Sequence, residues 1–291
     1  MSSFLLSKNL RDIKNVVESS NRSIFYVILK SKINLTMADI NIVEICKVVL
    51  HRLCSMDYEG NNRNNESKEQ LIFPKGTQSN GDVIRISEQE LRLLFVEEFK
   101  KKCQKLFYSI ETPTKNKYCF DTSKGIEGIN IDPHGQSALI DMCIFGKGPN
   151  SYNRILNIEF KYANVDIKNI AKDILKLVKE EPNGAFIWML DNTDSGTLSN
   201  SGKSGVLNKL NRSLSELKDE IVDNKSSVQF IIMSLRQRIL LYTSIKKVDL
   251  KSKIEIFPTK GNLGNIKEIN LNGWERSILP SSNDAKCFQS L

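Results

Sequence analysis

The sequence has little histidine and no closely paired cysteines. Only His51 and His134 occur among the 291 residues, too few for a site built from several imidazoles and a poor supply for a Ser-His-Asp hydrolase. Six cysteines are scattered without a C-x-x-C pair, so the sequence indicates neither a zinc ribbon nor a disulfide framework. We expect buried free thiols. Any chemistry must therefore depend on carboxylates, lysine or phosphate-binding backbone groups.

Long hydrophobic runs are also missing. Apolar stretches such as 24–29 and 230–235 are short and bounded by charge, far below the roughly 20 residues that a membrane span needs. The N-terminus lacks a basic region followed by an apolar run and a small-residue cleavage site, so we expect no signal peptide. These absences predict a soluble, cytoplasmic protein with no membrane partner.

The composition is that of a globular protein with a basic surface. A hydrophobic content of 40% in a chain of this length predicts one large domain, or one domain with an appendage. The formal charge is +8, from 42 Lys and Arg against 34 Asp and Glu, and the pI is ≈ 9.0. This balance suits a polyanionic partner such as nucleic acid. A merely basic surface explains it equally well.

The pattern along the chain predicts three regions. Residues 1–80 read as a helical region and loop, in which Thr36 can cap a helix. Residues 81–250 read as the core, and 251–291 as a β or irregular extension. The N-terminal helices are candidates for target recognition or for mediating a homodimer.

The core is predicted to be an α/β domain. Ser87 is placed to cap a helix that runs to about Lys105, with Glu90 in the capping-box position. The predicted strands are 106–111, 117–120, 137–145, 154–163, 185–190, 228–235 and 238–245. Two further helices are predicted over 166–181 and about 206–222. This order predicts a mixed central sheet flanked by helices.

One predicted strand carries charge in an apolar setting. In the stretch ILNIEFKY, Glu159 and Lys161 point to one face about 7 Å apart, because side chains alternate along a strand. Ile158, Phe160 and Tyr162 point to the other face, which reads as core. A solvated edge strand would show the same alternation, so this pattern alone decides nothing.

A second acid lies in the preceding strand. Asp141 is the single charge in the run SALIDMCIF, and a carboxylate in such surroundings needs a cation or a metal ion beside it. With Glu159 it supplies oxygen ligands of the kind that Mg²⁺ prefers, and Lys161 supplies positive charge for a phosphate or for an attacking water. The alternative is a plain ion pair between Asp141 and Lys161, with Glu159 exposed.

These residues resemble the PD-(D/E)XK nuclease superfamily, which has the restriction-endonuclease-like fold. Its pattern is a helix bearing a glutamate, a strand, a strand ending near an aspartate, a strand with (D/E)-x-K, a helix and a further strand. Residues 87–190 fill that order, although Ile140 stands where the motif has proline. The resemblance implies hydrolysis of phosphodiester bonds, usually of DNA, with Mg²⁺ or Mn²⁺. A nucleic-acid-binding or scaffolding module that keeps the fold without catalysis is the rival.

The helix that begins after Ser87 offers several candidates for the family's additional carboxylate. At 100° per residue, Glu88 shares the apolar face with Phe95 and Phe99, whereas Glu90 and Glu97 point away. We therefore expect Glu88 to complete the metal site with Asp141 and Glu159. The alternative is that Glu88 only interacts favourably with the helix dipole.

Two further motifs have a functional and a plainer interpretation. The stretch GTLSNSGKSG, 196–205, resembles a phosphate-binding loop, but its spacing is one residue too long. It predicts a flexible loop in which Lys203 contacts phosphate, and an ATPase is the weaker reading. Lys168, Lys172, Lys176 and Lys179 form a basic stripe, which indicates a solvated helix face or phosphate contacts.

Overall fold

A computed structural model describes residues 40–60, 69–78, 81–193, 197–198, 205–252 and 273–280. Thr36, Lys203 and most of the predicted N-terminal helices and C-terminal extension lie outside these ranges. Within them, the helices are α1 (Ile42–Ser55), α2 (Glu88–Lys102), α3 (Ile167–Lys179), α4 (Val206–Glu216) and α5 (Lys247–Ser252). None of these helices combines the length and the apolar character that crossing a membrane requires.

Ten strands are present in the described ranges. They are β1 (Lys75–Gln78), β2 (Gly81–Ile84), β3 (Phe107–Phe120), β4 (Ile129–Ile131), β5 (Gln136–Lys147), β6 (Tyr152–Tyr162), β7 (Asn183–Leu190), β8 (Ser227–Ser234), β9 (Ile239–Lys246) and β10 (Glu275–Ile278). Strands β1 and β2 form a separate hairpin. The other eight form one sheet in the order β10-β9-β8-β7-β6-β5-β3-β4.

The sheet is mixed and covered by helices on both faces. Strands β6, β7 and β8 are parallel, and the remaining neighbours are antiparallel. Helices α1 and α2 pack on one face, where Phe95 contacts Phe160 edge to face at 5.2 Å. Helices α3 and α4 pack on the other, against Phe186 and Trp188. The predicted α/β class with a mixed central sheet is therefore confirmed.

The predicted start of the second helix is confirmed in detail. Ser87 caps α2, and the carboxylate of Glu90 accepts from the backbone N–H of Ser87 at 2.7 Å, which completes the capping box. Helix α3 begins after Asp166, whose side chain accepts from the N–H of Lys168 at 2.8 Å. These caps satisfy N–H groups that the first helical turns leave without partners. The caps thus determine the residues at which both helices begin.

The prediction of two strands over 106–111 and 117–120 is wrong. A single strand, β3, spans both, and its pairing with β5 shifts register between Pro113 and Lys117. The backbone N–H groups of Lys115 and Asn116 donate to the carboxylate of Glu180 at 3.1 and 3.0 Å. The chain bulges at this point because a side chain from beyond α3 replaces the neighbouring strand as hydrogen-bond acceptor.

Glu180 follows α3 directly and is fully buried. In addition to the two N–H groups of the bulge, it accepts hydrogen bonds from the side-chain amide of Asn116 at 2.9 Å and from the hydroxyl of Tyr118 at 3.1 Å. Four donors compensate the loss of hydration of this carboxylate. Glu180 therefore joins the end of α3 to β3.

Lys247 is a second fully buried charged residue, and it lies close to Glu180. Its ammonium donates to the carbonyl oxygens of Glu180 and of Pro182, the latter at 2.8 Å. Burial lowers the pKa of Lys247 from 10.5 to about 8, although the carboxylates of Glu180 and Glu181 act in the opposite direction. The folded protein thus favours the neutral amine more than the unfolded chain does.

Replacing Lys247 with methionine should remove a pH-dependent part of the free energy of unfolding. The folded pKa of about 8 lies below the unfolded value of 10.5, so the unfolded state binds more protons between these two values. The wild-type free energy of unfolding should therefore rise by about 2 kcal/mol from about pH 7.5 to pH 10, relative to Lys247→Met. Urea unfolding at both pH values measures this rise, and equal pH dependence in the two proteins would contradict it.

Candidate active site in a fork of the sheet

Strands β5 and β6 separate at one end of the sheet. Their pairing reaches Met142↔Ile158, after which β6 continues beside β7 and β5 continues beside β3. The N–H of Phe160 lies just beyond the last pair and donates to Oδ2 of Asp141 at 2.8 Å. A carboxylate thus takes the place of a backbone carbonyl, and a fork opens between the two strands.

Eight charged side chains occupy the fork or its walls, and we call them the fork cluster. They come from α2, β3, β5, β6 and α3. Its members are Glu88, Arg92, Glu111, Asp141, Glu159, Lys161, Asp173 and Lys176.

Arg92 joins three of the carboxylates at the opening of the fork. Its guanidinium lies 2.6 Å from Oδ1 of Asp141, 2.8 Å from Glu111 and 3.2 Å from Glu88. Glu111 has a φ of +50°, a conformation that a residue other than glycine seldom adopts. Arg92 and the N–H of Phe160 together give donors to both oxygens of Asp141, and Arg92 also gives one to Oε1 of Glu111.

Lys161 lies between two carboxylates on different helices. Its ammonium is 2.7 Å from Asp173 of α3 and 3.9 Å from Glu88 of α2. Burial lowers the pKa of Lys161, but Asp173 and Glu88 outweigh burial and raise it above 10.5. Lys161 is therefore an ammonium at neutral pH. Burial and Asp141 also raise the pKa of Glu88, against the effect of Lys161.

Glu159 forms the floor of the fork and is only 1% exposed. Lys176 lies 2.7 Å from its Oε1, 3.0 Å from Asp173 and 2.9 Å from the carbonyl oxygen of Leu139, to which it donates. Burial, followed by the carboxylate of Asp173, raises the pKa of Glu159 well above its ordinary value, and Lys176 offsets this only in part. The deepest carboxyl group of the fork thus takes up a proton more readily than an ordinary glutamate does.

The structure brings together all four residues that the sequence identified. Asp141, Glu159, Lys161 and Glu88 belong to one fork cluster. The alternative of a plain ion pair between Asp141 and Lys161 is wrong, because Arg92 pairs with Asp141 and Asp173 pairs with Lys161. The other part of that alternative, an exposed Glu159, is also wrong, because Glu159 is buried.

Sequence reasoning missed the partners that the helices supply. Arg92 follows Glu88 by one helical turn, and this spacing was the available signal. Asp173 and Lys176 have the same kind of spacing on α3. The interpretation of the lysine stripe as a solvated helix face is wrong for Lys176, which is buried against the sheet. Lys172, another member of the stripe, lies over the ring of Phe120 at 5.5 Å.

The fork cluster has the donor chemistry of a site for a hard cation. It holds five carboxylates and three cationic side chains, an excess of two negative charges. Oε1 of Glu159 and Oδ2 of Asp173 have ion-pair contacts but no directed hydrogen bond. Carboxylate oxygens of this kind suit Mg²⁺ or Mn²⁺.

The arrangement of these oxygens sets a condition on metal binding. Within the described ranges, no group of three or more His, Cys, Asp or Glu side chains is arranged to hold a metal ion. Arg92 and the N–H of Phe160 engage Asp141, and Lys176 lies against Glu159. The carboxylate oxygens are of the type that a divalent cation prefers. For such a cation to bind Oδ1 of Asp141, Arg92 would have to release this oxygen.

The fork lies apart from two clefts on the described surface. The larger, of ≈ 680 Å³, lies between the start of α3 and the end of α4, and the smaller, of ≈ 600 Å³, lies beside His134. Neither is lined by a residue of the fork cluster. The fork is thus distinct from both clefts, and its side chains are mostly shielded from solvent: Glu159 is 1% exposed, and the side chains of Asp141 and Lys161 are 15% and 17% exposed.

Replacing Lys176 with methionine should destabilise the protein by about 2–4 kcal/mol, because Glu159 and Asp173 lose a buried cation. This loss of stability should be smaller at about pH 5 than at pH 8. At the lower pH the folded variant can protonate Glu159, whose pKa is raised, and a neutral carboxyl group does not need the missing cation. Lys179→Met on the same helix removes a partly exposed ion pair with Glu220 and should change stability by less than about 1 kcal/mol. Urea unfolding measures both, and equal losses would contradict the role of Lys176.

Comparisons of the chain with protein-family models, with curated proteins and with solved structures found no match. The basis for assigning a function is therefore the molecule itself. It consists of the order of its secondary-structure elements, the position of the fork in the sheet, and the charges that Asp141, Glu159 and their partners place there.

Proposed function

We propose that the protein is a metal-dependent nuclease of the PD-(D/E)XK type, which hydrolyses phosphodiester bonds of DNA. The observation that carries this proposal is the convergence of Asp141, Glu159, Lys161 and Glu88 from two strands and one helix. The order α2, β3, β5, β6, α3, β7, with β4 as a short addition, agrees with the order that the motif requires. Strand β7 runs parallel to β6, which carries the E-x-K sequence.

The distribution of charge supports a polyanionic substrate and a cation in the fork. The whole chain has a formal charge of +8, whereas the fork cluster has −2 from its five acids and three bases. The remaining residues therefore carry +10, the difference between these values. A basic surface attracts nucleic acid and an acidic pocket attracts a metal ion.

Asp141, Glu159 and Glu88 would hold Mg²⁺ or Mn²⁺. When bound, the ion supplies a lower pKa for a coordinated water and neutralises charge on the phosphate. Arg92 must leave Asp141 for this to happen, and the guanidinium that is released is suited to bind a phosphate oxygen. Arg92 is thus placed to exchange one anionic partner for another when substrate arrives.

Lys161 acts in this proposal as a donor and a positive charge, not as a base. Its raised pKa keeps it protonated at neutral pH, so it can donate a hydrogen bond to the attacking water or to a phosphate oxygen. Acceptance of a proton falls to a carboxylate. Glu88, whose side chain is 26% exposed, can be that acceptor only where Asp141 and Glu159 alone hold the metal.

One observation favours a second candidate function. Arg92 and Lys176 already pair with the carboxylates that would bind metal, and such internal ion pairs also suit a module that binds nucleic acid without cutting it. The two functions differ in their need for metal. A nuclease requires a divalent cation in the fork, whereas a binding module does not.

Cleavage assays test the nuclease directly. We expect wild-type protein with Mg²⁺ or Mn²⁺ to cut DNA, and Asp141→Asn or Lys161→Met to lower the rate by about 10²-fold or more, since each removes a charge from the reacting centre. Lys179→Met serves as the matched lysine control and should keep the wild-type rate. Circular dichroism should show folded variants. Wild-type protein that cuts neither DNA nor RNA with either metal would overturn the nuclease proposal.

Metal titration separates the two candidate functions. We expect isothermal titration calorimetry to show binding of Mn²⁺ that is lost in Glu159→Gln. Arg92→Met should bind Mn²⁺ about tenfold more tightly than the wild type, because a competing cation has been removed from Asp141. If the wild type and Arg92→Met both fail to bind Mn²⁺, the noncatalytic binding module becomes the better assignment.

A further inference from the structure

We propose that Phe107 and Tyr152 form an aromatic platform that binds the unpaired bases of single-stranded nucleic acid. The two rings meet edge to face, with their centroids 4.8 Å apart. They nevertheless remain 42% and 55% exposed. Rings held in place against each other and open to solvent offer a stacking surface at little further loss of side-chain freedom. The link to a nuclease substrate depends on the proposed function.

Three neighbouring strands place the platform on the same face as the acids of the fork. Phe107 pairs with Phe145, and Phe145 pairs with Arg154, whose guanidinium lies over the Phe145 ring at 5.9 Å. Asp141 and Phe145 share one face of β5, since they are four positions apart, and they lie about 13 Å apart along the strand. Between them on this face, Cys143 and Asn157 are fully buried, so a bound strand can connect the platform with the fork cluster only along the exposed edge of β3.

The platform lies at a basic end of the sheet. The segments 99–110 and 142–158 contain no Asp or Glu. Their basic residues are Lys100, Lys101, Lys102, Lys105, Lys147 and Arg154. Glu98 engages Lys101 and Glu180 engages Arg154, whereas Lys100, Lys105 and Lys147 are exposed.

An exposed aromatic surface could bind a second copy of the chain or a nucleic acid, and the basic charge around the platform favours the nucleic acid. A second copy of the chain would bring the same basic end and a charge of +8 with it, and the like charges would repel. A phosphate backbone is attracted instead, and bases beside it can stack on the rings. A duplex keeps the faces of its bases buried within its own stack, so the occupant that fits both charge and rings is a single strand.

The first half of β3 offers a route from the platform to the fork. Strand β5 lies on one side of it, and in the described ranges β4 pairs only with its last residues, Tyr118–Phe120. From Phe107 to Glu111 the strand spans about 13 Å, which corresponds to about four bases at 3.4 Å each. Glu111 contacts Arg92, so this edge ends at the fork cluster. A strand bound on the platform can thus reach the acids of the fork.

Binding of a fluorescein-labelled oligothymidine, measured by fluorescence anisotropy in EDTA, tests the platform without cleavage. We expect Phe107→Ala and Tyr152→Ala each to weaken binding about tenfold, the loss typical of one stacked base. Tyr152→Phe keeps the ring and should bind like the wild type. Tyr108→Ala is the matched control, because Tyr108 is the next residue of β3, is 37% exposed and points to the opposite face.

Each outcome decides the proposal. Losses in the two platform variants, with binding kept in Tyr152→Phe and Tyr108→Ala, support it. Unchanged oligothymidine binding, an equal loss in Tyr108→Ala, or tighter binding of a duplex would overturn it, and so would a dimer in gel filtration that Tyr152→Ala dissociates. Because binding is measured without metal, a wild type that binds through the platform but cuts nothing would refute the nuclease alone. Cleavage without platform-dependent binding would refute the platform alone.

Discussion

The hydrogen bond from the backbone of Phe160 to the side chain of Asp141 is the interaction on which the site depends. Strand β6 has an antiparallel neighbour, β5, and a parallel neighbour, β7, and it continues beside β7 after β5 has turned away. The N–H that loses its strand partner must find another acceptor, since an unpaired buried N–H is costly. A carboxylate fills this role, so the divergence of two strands and the position of an acid have one cause.

An acid placed between strands requires compensation, and both helical layers provide it. Arg92 comes from α2 on one face of the sheet, whereas Asp173 and Lys176 come from α3 on the other. The fork cluster therefore joins the two layers through charge rather than through apolar contact. The same ion pairs that hold the layers in place also engage the oxygens that a metal ion would need, so stability and function depend on the same atoms.

Much of the fold could be predicted from local patterns. The capping box at Ser87 and the alternation around Glu159 each act within a few residues, and the structure has the expected helix and strand at both places. The break expected between residues 111 and 117 was wrong because a distant residue, Glu180, supplies the missing acceptors. The partners of the predicted acids could not be found in the same way. Periodicity assigns Lys176 to a helix but does not say which face another element will cover.

Glu180 has a consequence for how the chain tolerates insertions and deletions. This residue is clamped to β3 and lies four residues after Lys176 and seven after Asp173. Removing one residue between Lys176 and Glu180 would rotate the preceding part of α3 by about 100° and shift it by about 1.5 Å, so both charged groups would turn away from Glu159. The length of this short segment is fixed by the geometry at its two ends, while the identity of its outward-facing residues is free to vary.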